Sequence, residues 1–498
     1  MSNIRITYTG FIAFFVSLIG IITGTAFTLI LTRSLTQEEY GTWGLISGLI
    51  AYVMIINLIV SYWNTREIAR KIESGRTAIV GTMVLSIGAI MIYVIMSIVM
   101  SEQTNIDPDT IIFALILIPP MFLNGILSAI NLGWKPHVIS YGTLAHGIVQ
   151  VPFALLFVHY FDYGVDGIIF ANFIANSISI IILFKYAKPK LKNNLRLFFF
   201  KSWLRLSWVP LYPGLFIVID TLGIVVFSAI TGSVLGIAIW AAANVSPGII
   251  KSVLTISRAV YPKLLEGGKR SYLEDNFAHL FYFNFMMTGI VIIFAKPALF
   301  ALNPIYQEAY LVVVFLALRN FFFVLTNVFI QNLGGNETID MDENATFMQY
   351  CKSKLFYPHT LRLIQASFFI SLLPIGITVI MQNDFETLDL LNFWALLLLV
   401  VTIPVTIYLY KLTKKNLGFN FPTKAVLKYL ISAIITFSLV YVLIENYLVY
   451  DESVFDFIPQ VLIYLSFSVV IYFMLTYVLD NKTRILTSSI IKEIRKKS

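Results

Sequence analysis

The chain has 498 residues, of which 58% are hydrophobic and 12% are charged, and its formal net charge is +8. A soluble domain carries about 25% charged residues, so this composition excludes an ordinary soluble protein. The single cysteine, Cys351, excludes an internal disulfide and a metal site built from cysteines. Because basic residues collect in the cytoplasmic loops of membrane proteins, the positive charge does not indicate a nucleic-acid partner.

Apolar blocks of about twenty residues recur along the chain, and this is the length that a helix needs to cross a hydrocarbon core of about 30 Å. Lipid offers the backbone no hydrogen-bonding partner, so we predict an all-α, polytopic membrane protein with about fourteen transmembrane helices. We place these helices at residues 10–32, 41–62, 78–100, 111–132, 138–161, 164–186, 207–231, 235–257, 279–301, 309–331, 361–381, 390–411, 425–444 and 455–479.

The positions of the basic residues test this assignment. With the N-terminus in the cytoplasm, 31 of the 35 Lys and Arg residues fall in cytoplasmic segments. The outer segments contain only Arg33 and Lys296, and Lys251 and Arg319 lie inside predicted helices. The positive-inside rule predicts this alternation, and one missed helix would invert every later loop. We therefore predict cytoplasmic termini at both ends and a location in the cytoplasmic membrane.

The segment at 187–206 separates the first six predicted helices from the rest. It places Leu197, Phe198 and Trp203 among several basic residues, a pattern that indicates an amphipathic helix at the membrane interface. We predict an N-terminal lobe at 1–186, this linker at 187–206, a C-terminal lobe at 207–412, and two further helices with a basic cytoplasmic tail at 413–498. A weak internal repeat agrees with two lobes, because a tight outer turn with glycine precedes the second and the eighth helix.

The sequence contains no catalytic constellation. Its five histidines are scattered, no His, Cys, Asp and Glu residues have metal-ligand spacing, and no glycine-rich phosphate-binding loop occurs. We therefore predict that the protein is not an enzyme, binds no cofactor and does not hydrolyse ATP.

Ionisable residues inside membrane helices are candidate functional residues, because burying a charge in lipid is costly. Lys251, Arg319 and Asp220 lie inside predicted helices, Arg33 lies at the outer end of the first, and His146 lies within the fifth. Arg33 and Lys251 can also extend their charges to the interface, and Arg319 can form a structural ion pair. His146 is better explained as a hydrogen-bonded packing residue. Asp220 is either an ion-coupling carboxylate or the partner of a cation.

Uncharged polar residues form stripes along several predicted helices. They include Asn124, Asn172, Asn244, Asn320 and Asn327. Neighbours at spacings of three, four or seven residues share one helix face. A single stripe is explained by hydrogen bonds between helices, whereas several together indicate a hydrated central cavity.

Prolines interrupt many of the predicted helices. They occur at Pro119, Pro120, Pro152, Pro210, Pro213, Pro247, Pro374 and Pro404. Broken helices are typical of transporters, in which the freed backbone groups line a cavity.

The sequence resembles the polysaccharide flippases of the multidrug/oligosaccharidyl-lipid/polysaccharide exporter (MOP) superfamily. These flippases are of the type that carries O-antigen and other lipid-linked oligosaccharides. The matching stretches are LTRSLTQEEYG at 31–41, LSWVP at 206–210 followed by Asp220 and residues 232–243, and NPIYQEAY at 303–310 followed by LGGN at 333–336. The likeness covers nearly the whole chain. The segment at 336–360 departs from it, being longer than the family's loop.

The resemblance implies a carrier that moves polyprenyl-pyrophosphate-linked oligosaccharide to the outer leaflet for the synthesis of cell-surface glycans. It implies two lobes that open a cationic cavity alternately to each side. In this interpretation Lys251 and Arg319 bind the phosphates and the asparagines bind sugar hydroxyls. Arg33 is a further candidate for substrate binding, and Asp220 couples an ion gradient. Membrane lipids and glycan-assembly proteins are the implied partners.

Two alternatives remain. A cation-coupled multidrug exporter of the same superfamily would typically stop at twelve helices and carry acidic residues in its cavity. Here the deep charges are mainly basic and two more helices are predicted, so we favour an anionic cargo. A membrane polysaccharide polymerase or glycosyltransferase would need a sizeable non-membrane loop or an acidic metal site, and the sequence shows neither.

Overall fold

The computed structural model describes residues 4–69, 71–104, 106–135, 137–254, 271–334, 339, 346–354, 356–383, 386–418, 421–481 and 483–484. Within these ranges the chain forms helices and short connections, with no strand. The prediction of an all-α protein is therefore confirmed. The predicted tail after residue 484 and most of the segment at 335–345 lie outside the described residues.

The α-helices are numbered here in chain order. They are α1 (Ile4–Ser34), α2 (Gln37–Met54), α3 (Leu58–Ala69), α4 (Gly75–Thr104), α5 (Pro108–Phe113), α6 (Ile118–Trp134), α7 (His137–Ala154), α8 (Gly164–Ala187), α9 (Leu197–Arg205), α10 (Trp208–Thr231), α11 (Leu235–Gly248), α12 (Ser271–Ile293), α13 (Ala295–Leu302), α14 (Tyr310–Gly334), α15 (Phe347–Lys352), α16 (Tyr357–Met381), α17 (Thr387–Leu417), α18 (Thr423–Tyr447) and α19 (Val454–Leu479). Every predicted membrane segment overlaps one or two of these helices.

Twelve helical stretches of the described chain are long and apolar enough to cross a membrane. The first predicted helix contributes a shorter apolar stretch, Ile19–Ser34. The eighth predicted helix ends as an α-helix at Gly248 and continues as a 3-10 turn at Ile249–Val253. The total of about fourteen crossings and the cytoplasmic position of both termini stay predictions.

The chain divides into two compact units. Unit 1 comprises Met1–Ala242 and His359–Leu397, and unit 2 comprises Ala243–Pro358 and Leu398–Ser498. Each unit therefore combines chain segments that are distant in sequence. The proposed lobes at 1–186 and 207–412 stay a prediction.

Two prolines each lie shortly before a change in helix form. Proline has no N–H to donate to the carbonyl four residues earlier, and its ring crowds that carbonyl. Pro152 lies near the end of α7, which continues as a π-helix over Leu155–Tyr160. Pro247 lies near the end of α11, just before the 3-10 turn at Ile249–Val253.

The two glycine turns that indicate an internal repeat meet in unit 1. Thr36 caps α2, and Glu39 accepts hydrogen bonds from the backbone and the hydroxyl of Thr36. Gly232 ends α10 in the left-handed region, at a φ of +62°. A Cβ atom at Gly41 would lie 2.2 Å from the carbonyl oxygen of Val234, so only glycine permits this approach.

An aromatic stack packs the same unit. The rings of Trp240 and Trp394 are almost parallel, at an angle of 8° with their centroids 3.9 Å apart. Phe227 also stacks on Trp394, with their ring centroids 5.3 Å apart. The stack joins α10, α11 and α17, and all three side chains are buried.

Candidate functional site

Two of the predicted membrane cations meet at one aromatic ring in unit 2. The Cζ atom of Arg319 lies 5.1 Å from the centroid of the Phe323 ring, and the Nζ atom of Lys251 lies 5.6 Å from it. Arg319 and Phe323 are one turn apart on α14, whereas Lys251 comes from the 3-10 turn after α11. We call Lys251, Arg319 and Phe323 the cation cluster.

Arg319 is the deeper of the two cations. Only 6% of it is exposed, whereas Lys251 is exposed. Arg319 lies within Pro304–Gly334, one of the stretches that can cross a membrane. An arginine at the centre of a membrane helix costs about 3 kcal/mol on insertion scales, so Arg319 is a candidate functional residue.

Asn320 fixes the geometry of the cluster. Its Nδ2 donates to the carbonyl oxygen of Pro247 at 2.9 Å, and its Oδ1 accepts from Nη1 of Arg319 at 3.3 Å. In a continuous α-helix the carbonyl of Pro247 would accept from the backbone N–H of Lys251. A 3-10 turn instead pairs each carbonyl with the N–H three residues later. Here the side chain of Asn320 donates to the carbonyl of Pro247. The helix break thus links Lys251 to Arg319 through Asn320.

The cluster is suited to binding an anion. A guanidinium offers a planar set of donors that matches a phosphate or carboxylate, and an ammonium adds a second positive charge. The face of the Phe323 ring attracts both cations, by about 0.5–2 kcal/mol for each pair.

The other two predicted residues of unit 2 are placed differently. Asn327 donates through Nδ2 to the carbonyl oxygen of Phe323 at 2.7 Å, within its own helix. Asn244 is partly buried on α11, three residues before Pro247. Their proposed part in substrate binding stays a prediction.

The asparagines of unit 1 connect neighbouring helices. Asn124 on α6 donates to Oδ1 of Asn176 on α8 at 3.2 Å. Gln150 on α7 donates to Oδ1 of Asn172 on α8 at 2.8 Å. These contacts agree with the interpretation of the stripes as bonds between helices.

Three further candidates also lie in unit 1. Arg33 occupies the last turn of α1, His146 lies within α7, and Asp220 lies within α10. All three side chains are partly buried. The proposed ion-coupling role of Asp220 stays a prediction.

One further buried cation is counted with the loops in the sequence pattern. The loop count assigns Arg362 to a cytoplasmic segment, although the residue also lies at the start of the predicted helix at 361–381; α16 begins at Tyr357 and contains it. Arg362 is 8% exposed, and its Cζ lies 3.8 Å from the centroid of the Phe216 ring on α10. Nearby, the hydroxyls of Tyr212 and Thr360 share a hydrogen bond. The sequence pattern misses the burial of this arginine, because its partner Phe216 lies far away in the chain.

A second feature that the sequence does not reveal is an acidic cavity in unit 1. It has a volume of about 390 Å³, and its lining includes Glu38, Glu39, Asp162 and Asp166. Over a hundred residues separate the two acidic pairs in the chain, so sequence patterns alone do not join them. Within the described ranges, no group of three or more His, Cys, Asp and Glu residues is placed to hold a metal ion.

The sequence and the structure were compared with known proteins. No family model matches the sequence, and no curated protein matches it. The structure is similar to an inward-facing multidrug resistance MATE transporter of the MOP superfamily, with a TM-score of 0.54, 14% identity, and coverage of 80% of this chain and 94% of that one.

Two further solved structures show the same similarity. One is a MOP superfamily transporter from Pyrococcus furiosus, with a TM-score of 0.52, 14% identity, and coverage of 83% of this chain and 96% of that one. The other is a ligand complex of the MATE multidrug transporter DinF-BH, with a TM-score of 0.55, 12% identity, and coverage of 84% and 96%. This chain therefore has the fold of these MATE-type transporters and is a multi-pass integral membrane protein.

Proposed function

We propose that this chain is a transporter that works by alternating access and carries an anionic, lipid-linked oligosaccharide across the cytoplasmic membrane. The fold supports the transporter part of the proposal. The cation cluster is the observation that supports the anionic cargo. The resemblance of the 31–41, 206–210 and 303–310 stretches to the polysaccharide flippases supports the lipid-linked oligosaccharide.

The chemistry of such a cargo complements the cluster. A polyprenyl pyrophosphate carries several negative charges next to an apolar chain. Arg319 can donate two parallel hydrogen bonds to one phosphate, and Lys251 can add a third contact from the neighbouring helix. An anion bound there offsets the cost of keeping the guanidinium of Arg319 away from water.

A cation-coupled multidrug exporter is the second candidate. The solved structures that resemble this chain include multidrug transporters, and they support this candidate more directly than the flippase. The acidic cavity at Glu38, Glu39, Asp162 and Asp166 also suits a cationic substrate. The Pyrococcus furiosus structure is described as having a binding pocket of reverse polarity that suggests a different function. We therefore use the charge of the cargo to separate the two candidates.

The test compares one anionic and one cationic probe on the purified protein in liposomes. The anionic probe is a fluorescent polyprenyl pyrophosphate, and the cationic probe is a fluorescent, lipophilic rhodamine ester. We expect the pyrophosphate to bind and the Lys251→Gln, Arg319→Gln double variant to lose at least thirtyfold in affinity. This loss corresponds to about 2 kcal/mol, the usual magnitude for charge-assisted hydrogen bonds.

A matched control replaces a cation outside the cluster, Lys296→Gln, and should leave the affinity within twofold. Binding of the rhodamine ester that is lost in Asp166→Asn, together with no binding of the pyrophosphate, would instead establish the exporter. Equal binding of the pyrophosphate to the double variant and the unaltered chain would exclude the cation cluster as its site.

A further inference from the structure

The linker helix α9 is held in a fixed orientation on unit 1. Trp203 is 1% exposed, and its Nε1 donates to Oε1 of Glu67 on α3 at 2.9 Å. The Trp203 ring also stacks with Phe199 at 6.1 Å. Trp203 belongs to a buried apolar cluster that includes Val60 and Ala187, so one face of α9 is part of the core.

Contacts at α4 fix the rest of the linker. The backbone N–H of Arg196 donates to Oγ1 of Thr77 at 3.0 Å. A Cβ atom at Gly75 would lie 2.5 Å from the carbonyl oxygen of Lys190, and one at Gly81 would lie 2.6 Å from the ring of Phe200. The linker therefore runs directly against α4, and its opposite face is constrained to point outward.

That outward face combines large apolar and basic side chains. Leu197 is 69% exposed and Phe198 is 77% exposed. Lys201, Leu204 and Arg205 are exposed beside them. We call these five residues the α9 face. Apolar side chains of this size would be unfavourable in water, so the face requires an apolar environment with negative charge at its border.

The position of α9 in the chain places it next to a membrane. It connects α8 to α10, and both belong to stretches that can cross a membrane. Nine residues of helix span only about 14 Å, which is too short to cross, so α9 lies at the membrane surface where α8 ends. Seven Lys and Arg residues occur between Asp166 and Asp220, and no acidic residue does.

We propose that the α9 face binds anionic phospholipids of the adjacent leaflet. Leu197 and Phe198 enter the boundary between the headgroups and the acyl chains, and Lys201 and Arg205 contact the lipid phosphates. The excess of positive charge favours anionic lipids over neutral ones, because neutral lipids carry no net negative charge to pair with the basic side chains. The surface lies outside the cation cluster and is independent of the cargo.

The test uses the purified full chain in a neutral detergent. It is titrated with phosphatidylglycerol and phosphatidylcholine that carry the same fluorescent acyl chain, and binding is measured by energy transfer from the protein. We expect phosphatidylglycerol to bind at least tenfold more tightly. The Lys201→Gln, Arg205→Gln variant should lose this preference by more than tenfold, since each basic residue near an anionic surface contributes about fivefold.

Two comparisons keep the result specific. The matched control is Lys414→Gln, Lys415→Gln, which removes two exposed cations from α17 and should change the preference less than twofold. The Phe198→Ser variant should weaken the binding of both lipids equally, because the ring contacts no headgroup charge. Equal binding of the two lipids to the unaltered chain, or equal losses in the two double variants, would overturn the proposal. Since all five altered side chains are exposed, thermal unfolding should be unchanged.

Discussion

The side-chain amide of Asn320 donates a hydrogen bond to the carbonyl oxygen of Pro247 over 2.9 Å. This bond joins α14 to the point at which α11 becomes a 3-10 turn. Lys251 lies in that turn and Arg319 lies beside Asn320, so one amide connects both cations of the cluster to the same helix break. The proline and the asparagine are therefore parts of a single arrangement.

Replacing Asn320 with leucine should destabilise unit 2. The change leaves the buried carbonyl of Pro247 without its donor, which costs about 1–3 kcal/mol. Thermal unfolding in detergent measures the loss. Asn327→Leu on the same helix is the control, since Asn327 donates to the carbonyl of Phe323 within its own helix, and it should cost less. Equal losses in both variants would show that the bond to Pro247 contributes nothing specific.

Replacing Arg319 with lysine should weaken the binding of an anionic cargo, although the positive charge is kept. The lysine loses the planar pair of donors and the stacking on Phe323, so we expect about a tenfold loss of affinity for a polyprenyl pyrophosphate. Arg66→Lys removes a comparable contact with Tyr62, 4.8 Å from the ring centroid, and serves as the control. An unchanged affinity in Arg319→Lys would show that Arg319 contributes only its positive charge to binding.

Replacing Trp203 with phenylalanine should loosen α9. The ring remains apolar, but Oε1 of Glu67 loses the indole N–H, at a cost of about 1–3 kcal/mol. Unfolding measurements on Trp203→Phe, Glu67→Ala and the double variant give the coupling between the two residues. We expect a clear coupling, and additive effects would mean that the bond is not a stabilising contact.

Replacing Gly41 with alanine should disturb the two glycine turns of unit 1. The new Cβ would lie 2.2 Å from the carbonyl oxygen of Val234, and neither backbone can move without disturbing its helix. Gly24→Ala in α1 is the matched control, because nothing lies within 4 Å of its Cβ position. Alanine there should be neutral or stabilising by up to about 1 kcal/mol. The prediction fails if the two variants unfold at the same temperature.

The asparagine pair of α6 and α8 separates a structural role from a role in binding. A double-variant cycle on Asn124→Ala and Asn176→Ala should give a coupling of about 0.5–2 kcal/mol in unfolding. If Asn124 also contacts sugar hydroxyls, its replacement lowers the affinity for the glycosylated cargo beyond that for the bare polyprenyl pyrophosphate. Measuring both affinities distinguishes the two roles.

Helices are predictable from this sequence because a lipid environment leaves few options for the backbone. Each predicted membrane segment coincides with helix in the part of the chain that the structure describes. The amphipathic pattern of 187–206 likewise identifies the segment in which α9 forms. Both signals are local, since they depend on residues within a few helical turns of one another.

The sites are predictable only in part, because they depend on contacts between distant segments. Lys251 and Arg319 stand out as cations without a loop, but their meeting at Phe323 requires the break at Pro247. Arg362 lies at the edge of the predicted helix at 361–381, and its contact with Phe216 joins segments that are distant in the chain. The acidic cavity depends on two turns that come together only in the folded chain.

The stacked indoles of Trp240 and Trp394 have an optical consequence. Two rings 3.9 Å apart and almost parallel share their excited states, so their absorption and emission differ from those of isolated tryptophans. The coupling weakens steeply as the rings separate. The chain thus contains an intrinsic spectroscopic reporter of how closely α11 and α17 pack, and it requires no label.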